Sequence, residues 1–406
     1  MRVQPVATYR VQLRREFDFD AARSVVPYLA ELGVSHLYCS PYMEAVPGSP
    51  HGYDVVDPTR ISTELGGDDG LQRLDAELRA HDLGQLLDIV PNHTAVGTPD
   101  NRMWWDVLRN GRDSSYANHF DIDWDAPGLQ GKVLLPVLGD APAAVLQRNE
   151  LSLSERDGEP VLRYFDHVFP LREDDAAGDI ASLLQRQHYL LDFWRTGLRR
   201  INYRRFFDVS ALAGMRTEDP LVFDTLHRRA LQLVHDGVVD GLRIDHVDGL
   251  RDPAAYLERL RAAAAPDTWI VVEKILTLEE RIPPEWPVDG TTGYDTGARI
   301  NQVQVDRGGA QQVVRTWAAA CGDSQPFATH SRNARRQVMD ELLSSELDRL
   351  SRVAAAAGID DAHSELAALV AGMDVYRISP TQWLPLSMDD AAAVLRAVQR
   401  ARNACD

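Results

Sequence analysis

Apolar residues in the first 93 positions switch between two periods. "VATYRVQL" (6–13) is rich in β-branched and aromatic residues and reads as a strand. "FDAARSVVPYLAELG" then repeats apolar residues at helical spacing and stops at Gly33. "VSHLYCSPY" (34–42) is a short buried strand, and the next helix, near 68–83, carries Leu71, Leu74 and Leu78 before Gly84. "QLLDIVPNH" (85–93) is a third apolar run that ends in polar residues. Strand, helix, strand, helix, strand is the rhythm of a parallel α/β fold, since a helical crossover lets neighbouring strands point the same way.

The rhythm breaks over 94–218, a stretch rich in Trp, Arg, Asp and Asn that is expected to form a mostly helical, lid-like insertion. It resumes with a marked helix. Asp219 is a good N-cap, Pro220 sits at the first helical position, and Val222, Phe223, Leu226, Ala230 and Leu233 share a face before Gly237. "VVDGLRID" (238–245) is then strand four and "TWIVVEKI" (268–275) strand five; Asp245 and Glu273 lie 28 residues apart, about one βα repeat. Residues 301–406 read as a helical segment. The expected partition is a first barrel part at 1–93, the insertion at 94–218, a continuation at 219–300 with strands four to six, and the helical segment at 301–406.

Composition narrows the function classes. With 406 residues the chain can bury a large core, and 44% apolar with 26% charged residues describes an ordinary globular protein. A formal net charge of −18 argues against nucleic acid and against anionic membrane surfaces, which attract basic patches. Cys39, Cys321 and Cys405 are scattered and odd in number, which gives neither a disulfide framework nor zinc spacing and fits a reducing cytoplasm. "MRVQPVATYRVQL" has no secretory apolar stretch, and no run approaches the roughly 18 apolar residues of a membrane span.

The chemistry collects at the strand ends. Asp88 to His93, Arg243 to Asp248, and Glu273 with Lys274 each follow an apolar run. In a parallel barrel all C-terminal strand ends face one mouth, so these groups converge there. Two carboxylates from neighbouring strands suit glycosidic-bond chemistry, where one stays ionised as nucleophile and the other protonates the leaving oxygen. Arg243 lies two residues before Asp245, on the same strand face, and a fixed positive charge there favours the ionised carboxylate. Each residue also has a structural reading. Asp245 could be a loop acid paired with Arg243, Glu273 a surface acid, His93 a core histidine, and Tyr53 a packing residue. Trp104, Trp105 and Trp124 could stack on sugars or fill a core.

"DIVPNH", "GLRIDHVDGL" and "VVEK", in this order, resemble the first three signature regions of the α-amylase superfamily of glycoside hydrolases (family 13). The motifs "SPYMEAVPGSPHGYDVVDP", "RQHYLLDFWR", "INYRRFFDVSALAGMR" and "WPVDGTTGYD" resemble a transglycosylating branch of that superfamily. The resemblance implies a TIM-type (β/α)8 barrel. It makes Asp245 the nucleophile and Glu273 the general acid/base, with Arg243 orienting the nucleophile. His93 would hydrogen-bond the sugar, Tyr53 would stack on it, and His246 would belong to the branch-specific site; Asp88 and Asn92 would be supporting residues. The substrate would be a maltooligosaccharide, whose reducing-end α-1,4 bond becomes an α,α-1,1 bond without cofactor or metal.

The resemblance also predicts a third carboxylate on a seventh strand, and no Asp in 301–406 has that setting. Asp389 and Asp390 start a helix, and Asp374 lies in "GMDVYRIS", which resembles a non-catalytic segment. The expectation is therefore an incomplete barrel of about six strands in a C-terminally truncated chain. Gly297, in "TGYDTGARIN", stands where the family resemblance predicts a bulky apolar residue. The alternatives left open are a family-13 hydrolase or 4-α-glucanotransferase, and an inactive α-glucan-binding fragment. Oligomeric state is not readable.

Overall fold

The structure is a computed structural model that describes residues 4–172, 178–277, 280–380 and 386–405. It divides into two compact units, residues 1–273 with 285–290, and residues 274–284 with 291–406.

A curled six-stranded sheet, corresponding to an incomplete (β/α)8 barrel, organises the first unit. Its strands are β1 (Thr8–Val11), β2 (His36–Cys39), β3 (Gly84–Ile89), β4 (Gly241–Ile244), β5 (Trp269–Val272) and β6 (Gly290–Thr291), hydrogen-bonded in chain order. The pairs from β1 through β5 are all parallel. All six residues of β3 and all four of β4 are buried, as strands covered on both faces must be. Helix α1 (Phe19–Leu32) starts where the Asp18 carboxylate accepts the Ala21 N–H at 2.9 Å. It ends at Gly33, whose φ of 82° is the left-handed helix stop that glycine adopts freely. Helix α2 (Gly67–Ala80) buries Leu71, Leu74 and Leu78. Helix α3 (Pro220–His235) is capped by Asp219 and buries Val222, Phe223, Ala230 and Leu233, and α4 (Pro253–Ala263) is capped by Asp252.

The insertion differs from its expected helical character. Strands Val133–Leu138, Leu151–Arg156, Glu159–Tyr164, His167–Pro170, Tyr189–Phe193 and Val209–Gly214 outweigh its short helices. The physical reason is turn chemistry. "RDGE" closes a two-residue hairpin in which Asp157 and Gly158 both take positive φ, 53° and 83°, the twist that matches paired strands. Leu151, which opens the first strand of that hairpin, lies in the insertion's core. That core packs Trp104 edge-on against Phe120 and Tyr203, with Val107, Val133 and Tyr189 around it. Trp104 is therefore a core residue, while Trp105 and Trp124 lie partly buried beneath the guanidinium groups of Arg156 and Arg112.

The second unit is helical: α5 (Tyr294–Val303), α6 (Ala310–Cys321), α7 (Phe327–Glu341), α8 (Ser344–Ala356), α9 (His363–Gly372) and α10 (Met388–Cys405). Met339, Leu347, Ala367 and Ala371 form its small core. Helices α9 and α10 meet closely, since a Cβ on Gly372 would lie 2.7 Å from the Ala397 carbonyl oxygen. No described helix is long and apolar enough to cross a membrane.

Candidate active site

The parallel register sets the site. Arg243 on β4 pairs with Asp88 on β3, and Ile244 pairs with both Ile89 and Val272. Asp245 and Glu273, each one residue further on, therefore leave neighbouring strands at the same level. Their backbones continue the ladder, with the Asp245 N–H donating to the Ile89 carbonyl at 2.9 Å and the Glu273 N–H to Ile244 at 2.8 Å.

One guanidinium joins the acids. Arg243 Nη1 donates to Asp245 Oδ1 at 2.6 Å and to Asp88 Oδ1 at 2.7 Å, while its Nη2 lies 3.2 Å from Glu273 Oε1. The Arg243 side chain is 6% exposed, so these ion pairs work at low effective dielectric, where an unpartnered charge is costly. Burial pushes the Asp245 carboxyl above its ordinary range; Arg243 opposes that, and the charges of Asp88 and Glu273 add to it. Burial likewise raises Asp88, against the pull of Arg243, and the carboxylates hold the Arg243 guanidinium protonated.

Asp88 is fully buried and is the hub of a second layer that sequence reasoning missed. Its Oδ2 accepts from the Tyr53 hydroxyl at 2.6 Å and from the Tyr38 hydroxyl at 3.2 Å. Arg10 on β1 donates to the Tyr53 hydroxyl at 2.8 Å, approaches Asp88 at 3.7 Å, and lies over the Tyr38 ring. Groups from β1, β2, β3 and β4 are thus tied across the strand ends. The signal was available in part. Arg10 interrupts an apolar strand, as Arg243 does, but its partner Tyr53 lies 43 residues away.

His93 and His246 line the other side. His93 opens the short strand His93–Ala95, which pairs antiparallel with the insertion strand Val209–Gly214. Its Nδ1 lies 3.3 Å from Asn92 Nδ2, and its ring packs 4.3 Å from that of Phe206. Burial, first, then the nearby His246 and Arg204, lower the His93 pKa to about 3, so the ring is neutral. Strand β4 stops at Ile244, one residue earlier than the apolar pattern predicts, because the chain turns at His246. That residue sits in the left-handed region at φ 45°. The turn aims the His246 N–H at Glu273 Oε2, 3.0 Å away, and sets its ring against Phe206 and Phe207. Strain of this kind in a non-glycine residue is characteristic of functional loops. Asp248 is buried in the following turn, Val247–Gly249.

The structure thus brings Tyr53, Asp88, Asn92, His93, Arg243, Asp245, His246 and Glu273 to one set of strand ends, together with Arg10, Tyr38, Arg204, Phe206 and Phe207. Asp374 is instead held by Arg396 and Arg400 within the second unit, and Asp389 and Asp390 open α10. Among the described residues no group of three or more His, Cys, Asp or Glu side chains is placed to hold a metal ion.

Comparison with known proteins places the chain in a family. The family model "Alpha amylase, catalytic domain" matches residues 18–270. A Mycobacterium tuberculosis protein with the provisional name maltooligosyl trehalose synthase is 45% identical over 376 residues, covering 91% of this chain and 47% of its own. The solved structure of maltooligosyltrehalose synthase from Arthrobacter ramosus superposes with a TM-score of 0.90 at 41% identity, covering 98% of this chain and 51% of that one. A hypothetical maltooligosyl trehalose synthase from Sulfolobus tokodaii does so with a TM-score of 0.85 at 33% identity, covering 98% and 52%. The chain spans about half the length of these relatives. From the family match and the site at its strand ends, this chain belongs to the alpha-amylase family and carries its catalytic domain.

Proposed function

We propose that the chain rearranges the reducing end of maltooligosaccharides, converting an α-1,4 bond to an α,α-1,1 bond by intramolecular transglycosylation. The observation that carries this is the shared grip of Arg243 on Asp245 and Glu273, level on adjacent strands. The likeness to trehalose-forming synthases along almost the whole chain selects the substrate.

In this reading Asp245 attacks the anomeric carbon while Glu273 gives a proton to the leaving O4 of the terminal glucose. A glycosyl-Asp245 ester forms as the C1–O4 bond breaks. The released glucose stays bound, turns, and presents its own anomeric hydroxyl. Glu273 removes that proton, the hydroxyl oxygen attacks C1, and the ester bond to Asp245 breaks. Two inversions leave net retention, and water is not consumed, so the site must stay dry. Arg243 holds the nucleophile ionised and aimed, and Asp88 and Asn92 support that aim. Tyr53, His93 and His246 bind sugar, the neutral His93 offering a hydrogen bond without a competing charge. No cofactor enters this scheme. A cytoplasmic location fits the free cysteines, Cys39 buried with its thiol pushed up to about 12 and Cys321 exposed.

The test is reducing-end content during incubation with maltopentaose. A fall at constant total glucose is the expected result. A rise means hydrolysis and a steady value an inactive or binding-only protein; either would overturn the proposal.

A further inference from the structure

The insertion reaches the site through one side chain. Arg204 lies in the insertion immediately before the short strand Arg205–Phe206, and its guanidinium spans three separate segments. Nη1 donates to the Asn92 side-chain oxygen at 2.5 Å and to the Gly249 carbonyl at 3.1 Å. Nη2 donates to the Met215 carbonyl at 2.7 Å and to the Asn92 carbonyl at 3.4 Å, and Nε is held by Asp121 at 3.2 Å. The loop after β3, the loop after β4 and the insertion therefore share one cation.

The contacts to Asn92 and Gly249 lead on to groups at the reaction centre. Asn92 is hydrogen-bonded to His93. Gly249 closes the turn that begins at His246, its N–H donating to the His246 carbonyl at 2.9 Å. The same turn points the His246 N–H at Glu273. Packing at this knot leaves no slack. A Cβ on Gly249 would lie 2.4 Å from the His246 ring and 2.5 Å from Asn92 Oδ1. Gly214 is the floor beneath the guanidinium: a Cβ there would lie 2.5 Å from Arg204 Cζ, although the Gly214 backbone itself suits any residue. The glycine is thus explained by the arginine that lies on it.

We infer that Arg204 is a positioning residue, a clamp through which the insertion sets His93, His246 and the backbone donor to Glu273. Its kinetic consequence rests on the function proposed above; its structural consequence does not. The test pairs two variants, Arg204→Gln, which removes the clamp, and Gly214→Ala, which displaces it without touching any polar group.

Hydrogen exchange on the unliganded protein comes first, comparing peptides over 90–96 and 245–251 with peptides over β1 and α1. Both variants are expected to exchange about tenfold faster in the two loops while β1 and α1 keep their wild-type rates. The double variant should add less than twofold to either single one, since both act through one guanidinium. Unchanged loops, or an equal rise everywhere, would overturn the clamp. With maltopentaose, both variants are expected to lose about 100-fold in kcat at nearly constant KM, the scale of a misplaced catalytic group, and to release more free glucose. Wild-type kcat in either variant would overturn it too. A wild-type protein that leaves maltopentaose unchanged would sink the proposed function instead, and the exchange result would still decide the clamp.

Discussion

Replacing Arg243 with Met tests the electrostatic core of the site. Arg243 is nearly fully buried and meets Asp245 at 2.6 Å, Asp88 at 2.7 Å and Glu273 at 3.2 Å, so Arg243→Met strips one cation from three acids while keeping an unbranched apolar stem in place of the aliphatic part of Arg243. Removing one partner of a buried ion pair costs about 3–5 kcal/mol, because the remaining charge is left uncompensated. The acids limit that loss by holding protons. An adjacent cation lowers a carboxyl pKa by about 1–3 units, so its removal raises Asp245 by a similar amount from a value already lifted by burial. The ionised fraction of Asp245 near neutral pH then falls by about 10- to 1000-fold, and kcat/KM with it.

The sign of the pH dependence follows from proton counting. The native variant holds protons on Asp88 and Asp245 that the unfolded chain releases, so its stability falls as pH rises. Urea unfolding followed by tryptophan fluorescence should show the smallest deficit near pH 5 and the largest near pH 8, while initial rates should recover as pH rises. A stability loss below about 1 kcal/mol, together with more than a tenth of wild-type activity at neutral pH, would refute the reasoning.

Three further outcomes follow from the same geometry. Burial and the neighbouring Asp88 charge raise Asp245, which must be ionised in the proposed reaction; kcat/KM should therefore decline on the acid side well above the ordinary Asp value of about 3.9, and Asp88→Asn should move that limb to lower pH in a rate profile. Glu273→Gln should lower kcat by about 10²–10⁴-fold yet stay within about 1 kcal/mol of wild-type stability in urea titration, since Glu273 is the more exposed of the two acids. Gly297 sits inside α5 with open space where its Cβ would be, so Gly297→Ala should stabilise the helical unit by about 0.5–1 kcal/mol; a loss of helical circular dichroism at lower urea would contradict this.

Much of the barrel was legible because its strands are buried on both faces and end in charge. The runs at 85–93 and 238–245 named β3 and β4, and the two-residue step from Arg243 to Asp245 gave their shared face. What stayed hidden was long-range or conformational. Arg204 meets Asn92 across 112 residues of chain, and no local pattern announces that. The left-handed turn at His246 depends on the surrounding packing rather than on residue type, so the sequence pattern carries the strand's end one residue too far. The insertion, expected to be helical where the βα rhythm breaks, is instead built on hairpins, one of them closed by "RDGE", a turn signal present in the sequence. Gly297, surprising beside the family pattern, lies in a helix none of whose residues is buried, which removes the need for a bulky apolar side chain there.

The central claim is that Asp245, held by Arg243, is the nucleophile. Incubating the protein with 5-fluoro-α-glucosyl fluoride and mapping the labelled peptide by mass spectrometry tests it directly, because the fluorine slows breakdown of a glycosyl ester. The account predicts one adduct, on the peptide "VVDGLRIDHVDGL" at Asp245, absent from Asp245→Asn and from Arg243→Met at neutral pH. A label on Glu273 or Asp88, or no label in a protein that turns over maltopentaose, would contradict it.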